Sequence, residues 1–178
     1  PANDLAALEA AITPATAAVL VEVVQGEGGI VPLPGDYLRG VEALCRKHDI
    51  LFICDEVQAG LCRTGTFWAF QQHGLTPDAI SMAKSLANGL PMGAMLATDE
   101  MAKGFEAGSH ATTFGGGALA GKASSAVMDH FIEDDAEQMC HIIEQELLAL
   151  TEEHLITQNE LKTIVERLGS SLTAKTLK

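Results

Sequence analysis

Aromatic side chains are scarce in this chain: 6 Phe, 1 Trp and 1 Tyr among 178 residues. A surface that stacks nucleobases needs more of them. Cations are scarce as well, with 11 Lys and Arg against 24 Asp and Glu and a formal net charge of -13 at pH 7. Such a chain repels a phosphate backbone or an anionic bilayer, so no nucleic acid and no membrane is expected as a partner. Long apolar runs are missing too; nothing approaches the roughly 20 residues of a membrane-spanning helix. The start, Pro1-Ala2-Asn3-Asp4, has neither a basic segment nor the apolar core of a signal sequence. The missing initiator Met points to a processed, tagged or partial chain. The 4 cysteines contain no CxxC pair, and Cys45 and Cys54 fall in apolar patterns that read as core. Reduced thiols in a cytoplasmic protein are therefore the expectation. The histidines, His48, His73, His110, His130, His141 and His154, show no HxH or HExxH spacing, and no metal site is expected.

What is present is 47% hydrophobic residues, with 17 Gly and 6 Pro, in a chain as long as one ordinary domain. Two hydrophobic periods alternate in its first half. Asn3 or Asp4 can cap a short helix bearing Leu5, Leu8, Ala11 and Ile12, which Thr13-Pro14 ends. Ala17 to Val24 is aliphatic except for Glu22 and reads as a strand buried on both faces. From Asp36 to His48 the positions Leu38, Val41, Leu44 and Cys45 recur at helical spacing, and Ile50 to Cys54 is a second buried strand ending in Asp55-Glu56. Strand, helix, strand with short joints is a parallel βαβ unit, so the class is α/β, and polar residues at strand ends are site candidates. Ala79 to Ala83 and Met92 to Ala97 fit further strands of the same sheet. From Ala118 onward the chain reads as helical, with a stripe of Met139, Ile142, Ile143, Leu147 and Leu150 and a last helix opened by the capping box Thr157-Gln158-Asn159-Glu160.

Two strand-end residues are candidates to carry chemistry. Asp55 directly follows a buried strand, where a carboxylate needs a cation or hydrogen-bond donors; it can face a cleft or simply cap a helix. Lys84 follows Ile80-Ser81-Met82-Ala83 and precedes a flexible Asn88-Gly89. At an apolar strand end a lysine loses hydration, its pKa falls and it becomes a nucleophile toward aldehydes, unless it is a surface lysine with a buried stem. Together the two suggest pyridoxal phosphate, which needs a lysine for its Schiff base and an acid for its pyridine nitrogen. Val57 can then lie against the ring or be an ordinary core valine. Thr112-Thr113 before Phe114-Gly115-Gly116-Gly117 suit a phosphate, or form a plain loop. A rival is a P-loop-type nucleotide binder: Gly116 to Lys122 matches G-x-x-x-x-G-K, but Ala123 stands where Ser or Thr would hold Mg²⁺ and no buried strand precedes it.

Val21-Glu22-Val23-Val24-Gln25-Gly26-Glu27-Gly28-Gly29, Asp55-Glu56-Val57-Gln58-Ala59-Gly60, Arg63-Thr64-Gly65, Ala83-Lys84-Ser85-Leu86 with Gly89, and Gly108 through Gly116 resemble class III aminotransferases of the ornithine and acetylornithine type, in order and in spacing. The resemblance implies a fold type I large-domain core, a mostly parallel sheet flanked by helices. It covers about residues 1–132, a partial cofactor-binding domain; residues 133–178 are expected to be a helical C-terminal segment whose relationship to the family the residues leave open. It further implies that Lys84 is the Schiff-base lysine, Asp55 the pyridinium partner and Val57 a ring contact, with Gln58 near the phenolic oxygen. Thr113 would bind the phosphate of a neighbouring subunit's cofactor, giving a homodimer with shared sites, and Thr112 would touch substrate. Glu27 matches the glutamate that pairs with a substrate-binding arginine. The implied activity is transfer of the ω-amino group of N-acetylornithine, or a similar N-acylornithine, to 2-oxoglutarate, a step of arginine metabolism. Val23 in place of the family's Pro, and Gly117-Ala118 in place of Asn-Pro, depart from the pattern. The family's phosphate-binding glycine loop and stacking aromatic lie upstream of Pro1 and its C-terminal domain downstream. A fragment that binds the cofactor weakly, or a non-catalytic relative kept as a partner-binding domain, is the matching expectation.

Overall fold

The computed structural model describes residues 3–133, 135–138, 140–142 and 145. In chain order these form α1 (Leu5–Ala11), β1 (Ala18–Glu22), β2 (Val24–Gln25), β3 (Val31–Pro32), α2 (Gly35–His48), β4 (Leu51–Asp55) and a 3-10 helix (Ala69–His73). Then come β5 (Ala79–Met82), a second 3-10 helix (Lys84–Ala87), β6 (Ala94–Ala97), α3 (Asp99–Ala102) and α4 (Ala118–Glu133). Most of the expected stripe from Met139 to Leu150, and the whole helix expected from Thr157, lie outside the described residues.

Local chemistry explains the boundaries. Asp4, not Asn3, caps α1, its Oδ1 accepting the Ala7 N–H at 2.9 Å. The apolar face of α2 buries Leu38, Val41 and Cys45 completely, and left-handed Asp49 (φ 54°) ends the helix. Arg46 in its last turn reaches across to Asp78 Oδ2 at 2.6 Å and the Thr76 carbonyl at 2.5 Å. Asp78 Oδ2 also accepts the Phe52 N–H at 2.8 Å, so one carboxylate joins α2, β4 and the entry to β5.

The main sheet has the order β1-β4-β5-β6, with β1, β4 and β5 parallel and β6 antiparallel to β5. This is the mostly parallel α/β sheet expected. In-register partners share a face. Val19, Phe52, Cys54 and Ile80 therefore turn to one side, where α2 packs and the core forms around Phe52 and Cys54, both 0% exposed. The opposite face carries Leu20, Ile53 and Met95, and there Leu20 is 60% exposed. This corrects the reading of β1 as buried on both faces. It is an edge strand, and the described residues leave its outward Leu20 uncovered, so its aliphatic sequence exceeds its burial.

The 4 cysteines are free, as expected of reduced thiols. Cys140 Sγ donates to the Cys62 carbonyl at 3.1 Å and Glu137 accepts the Phe67 N–H, which ties the chain beyond α4 to the turn after β4. No helix among the described residues is long and apolar enough to cross a membrane.

Candidate active site

The parallel register places Glu22, Asp55 and Ser81 side by side at the C-terminal ends of β1, β4 and β5, in one row on the open face. Ligands of open α/β sheets sit outside such strand ends. Within this row Asp55 Oδ1 accepts two hydrogen bonds, from the Val57 N–H at 3.0 Å and from the Ser81 hydroxyl at 2.8 Å. Oδ2 has no partner among the described residues, and no fully buried side-chain oxygen there lacks one, so Oδ2 stays within reach of solvent or a ligand.

The fully buried acid is the next residue. Glu56 is 2% exposed, and its two oxygens accept the Phe70 N–H at 2.9 Å and the Ala69 N–H at 3.0 Å. Burial raises its pKa more than those two donors lower it. The desolvation expected at Asp55 therefore falls on Glu56, which caps the first 3-10 helix, while half-buried Asp55 keeps a free oxygen.

Lys84 follows β5 by two residues, three beyond Ser81, and opens the second 3-10 helix with φ 52°. A non-glycine residue in the left-handed region costs roughly 1–2 kcal/mol and persists only where neighbours impose it. Here Leu86 and Ala87, 3% and 1% exposed, anchor the turn. The lysine itself is exposed and its ammonium has no partner among the described residues. This corrects the expected dehydration: β5 stops at Met82, and extended Ala83 carries Lys84 clear of the core.

Gln58, half-buried, donates from Nε2 to Glu27 Oε1 at 3.0 Å. Its side chain crosses Gly26 so closely that a Cβ there would lie 2.5 Å from Gln58 Cγ. Glu22 Oε2 accepts the Gly26 N–H at 3.0 Å and holds this turn to the end of β1. Val57 sits half-buried between Asp55 and Gln58. Thr112 and Thr113 are exposed in the segment before α4 and make no hydrogen bond among the described residues. Gly121 and Lys122 lie inside α4 with no strand leading into Gly116, so the G-x-x-x-x-G-K stretch builds no phosphate loop. An apolar hollow lined by Phe70, Leu75, Pro77, Ile80 and Leu96 lies toward the other end of β5 and includes none of these groups.

Sequence reasoning passed over Ser81, Glu22 and Gly26 as site residues. The available signal was a polar residue at the same depth in each of two apolar strands, and a glycine beside a candidate glutamate.

A family profile described as Aminotransferase class-III matches residues 2–171. The chain belongs to the class III aminotransferases. The match continues past Ile132 through most of the C-terminal segment. Among similar aminotransferases, the acetylornithine aminotransferase of Mesorhizobium japonicum is 47% identical over 155 residues, 85% of this chain and 39% of that protein. The Streptococcus mutans acetylornithine aminotransferase is 45% identical over 88% of this chain and 42% of its own length. The chain thus spans less than half the length of these curated relatives. Among solved aminotransferases, the Plasmodium yoelii ornithine aminotransferase superposes with a TM-score of 0.78 at 34% identity, covering 89% of this chain and 43% of that one. The acetylornithine aminotransferase of Elizabethkingia anophelis gives 0.74 at 35% identity over 86% and 40%. A Toxoplasma gondii ornithine aminotransferase in the same group holds pyridoxal phosphate at partial occupancy in its active site.

Proposed function

We propose that this chain is the cofactor-binding core of an enzyme that transfers the ω-amino group of N-acetylornithine, or a similar N-acylornithine, to 2-oxoglutarate, using pyridoxal phosphate. The observation that carries the reading is the pair of strand ends: Asp55 with a free Oδ2 on β4, and unpartnered Lys84 just beyond β5, its parallel neighbour. The amino donor is supported by the names of the similar proteins, and the acceptor by the family resemblance.

The residues present fit the ring end of that cofactor. A carboxylate with one oxygen fixed and the other open is an acceptor for a ring N–H, and an exposed lysine amine can reach a carbonyl carbon. When bound, pyridoxal phosphate supplies an aldehyde for primary amines and a ring that takes up the electron pair of a breaking C–H bond. Asp55 Oδ2 holds the proton on the ring nitrogen. Lys84 Nζ would hold the cofactor's carbonyl end and would move the proton at the substrate carbon. Val57 contacts the ring face and Gln58 binds its phenolic oxygen. Glu27 would face the substrate side; the arginine with which the family's glutamate pairs has no counterpart identified in this chain. Thr113, exposed as a contact between subunits must be, binds the phosphate across a homodimer, and Thr112 beside it touches substrate.

The test is to incubate the chain with pyridoxal phosphate, reduce it with borohydride and map the labelled peptide. Label on Lys84 is the expected result. Label on Lys122, or on no lysine, overturns the assignment, and the second outcome would favour a non-catalytic relative.

A further inference from the structure

We infer that Ser81 is a positioning residue: it locks the plane of the Asp55 carboxylate, so that Oδ2 alone is left to receive a ring N–H. This rests on the reading of Asp55 given above and assigns a role to a residue outside it. An aspartate carboxylate turns easily about its last bond, because that torsion is broad and roughly two-fold. The Val57 N–H, bonded to Oδ1 at 3.0 Å from only two residues away, moves with the same turn of chain and leaves that rotation open. Ser81 bonds the same oxygen at 2.8 Å from a different strand, and this second, independent anchor fixes it.

Ser81 is itself held in place. Its carbonyl accepts the Glu56 N–H at 2.9 Å, and it lies directly opposite Asp55 in the β4–β5 register. The hydroxyl lies half-buried on the open face, where alanine would fit without strain, so strand packing does not call for it. Its geometric work is on Asp55. Ser81 also stands three residues before Lys84, so β5 carries the residue that bonds the acid and leads into the turn that bears the lysine.

The test compares Ser81→Ala, Ser81→Thr and Asp55→Asn in the full 178-residue chain. In the chain without cofactor, amide hydrogen exchange at Val57 should quicken about tenfold in Ser81→Ala and return in Ser81→Thr. Exchange at Phe52, whose N–H is held by Asp78 at the far end of β4, should not change. In titrations with pyridoxal phosphate, Ser81→Ala should bind several-fold more weakly, and Ser81→Thr like the unaltered chain. Unchanged Val57 exchange overturns the proposal, as does a rise shared equally with Phe52, which would mark a merely structural serine. Unchanged cofactor affinity in Ser81→Ala beside weakened affinity in Asp55→Asn overturns it as well. Unchanged affinity in Asp55→Asn instead removes the reading of Asp55, while the exchange data still decide whether Ser81 holds its carboxylate.

Discussion

Replacing Gly26 by alanine separates the role of the site from that of the fold. A Cβ at this position would meet Gln58 Cγ at 2.5 Å, Cδ at 2.6 Å and Cβ at 2.9 Å. Carbon atoms pack at about 3.5–4.0 Å, so the Gln58 side chain must retreat by about 1 Å. That movement breaks its 3.0 Å bond to Glu27. The folding cost is bounded, because the bond is exposed and Gln58 can swing toward solvent: about 1–2 kcal/mol, from the lost bond and residual overpacking. On the proposed role of Gln58 beside the cofactor the functional cost is larger, since a displacement of about 1 Å at a reacting site can cost on the order of 10²-fold in rate. Urea unfolding of Gly26→Ala, Gln58→Ala and the double variant forms the assay. Gln58→Ala removes the two closest contacts, so the double variant should be more stable than the sum of the single changes by about 1 kcal/mol. Strict additivity would refute the steric account. So would a loss above roughly 3 kcal/mol in Gly26→Ala, which would make the glycine a requirement of the fold.

Asp55→Asn keeps an oxygen for the Val57 and Ser81 donors. It should cost under about 1 kcal/mol of stability while weakening pyridoxal phosphate binding at least about tenfold, read by denaturation and absorbance titration. Glu56, with its folded pKa raised by burial, binds its proton more tightly folded than unfolded. Its contribution is complete below the ordinary value of 4.5 and is lost as pH rises through the raised one, so urea midpoints of the unaltered chain should fall over that window relative to Glu56→Gln. Phe52→Ala, at a fully buried position, should cost about 3–5 kcal/mol, whereas Leu20→Ala, 60% exposed, should change stability by less than about 0.5 kcal/mol in calorimetry.

Periodicity and capping determined where elements begin and end, because those signals are local. The spacing of Leu38, Val41 and Cys45 placed α2, and the aliphatic run to Cys54 placed β4 with its acid at the C-terminal end. The motif at Asp55, the lysine at Lys84 and their order along the chain were legible for the same reason, and they pointed to the family that the profile match assigns. Burial was not legible, because it depends on what lies across space. An aliphatic β1 became an edge strand with Leu20 in the open, Glu56 rather than Asp55 became the fully buried acid, and Lys84 emerged exposed. Contacts between strands were equally hidden. Ser81 and Asp55 are 26 residues apart, and only the parallel pairing of β4 with β5 brings a hydroxyl of one onto the carboxylate of the other. The sequence by itself chose the chemical groups, since residue type and local pattern are written in it. Tertiary structure decided which oxygen is fixed and which is free, since that is settled by register across a sheet.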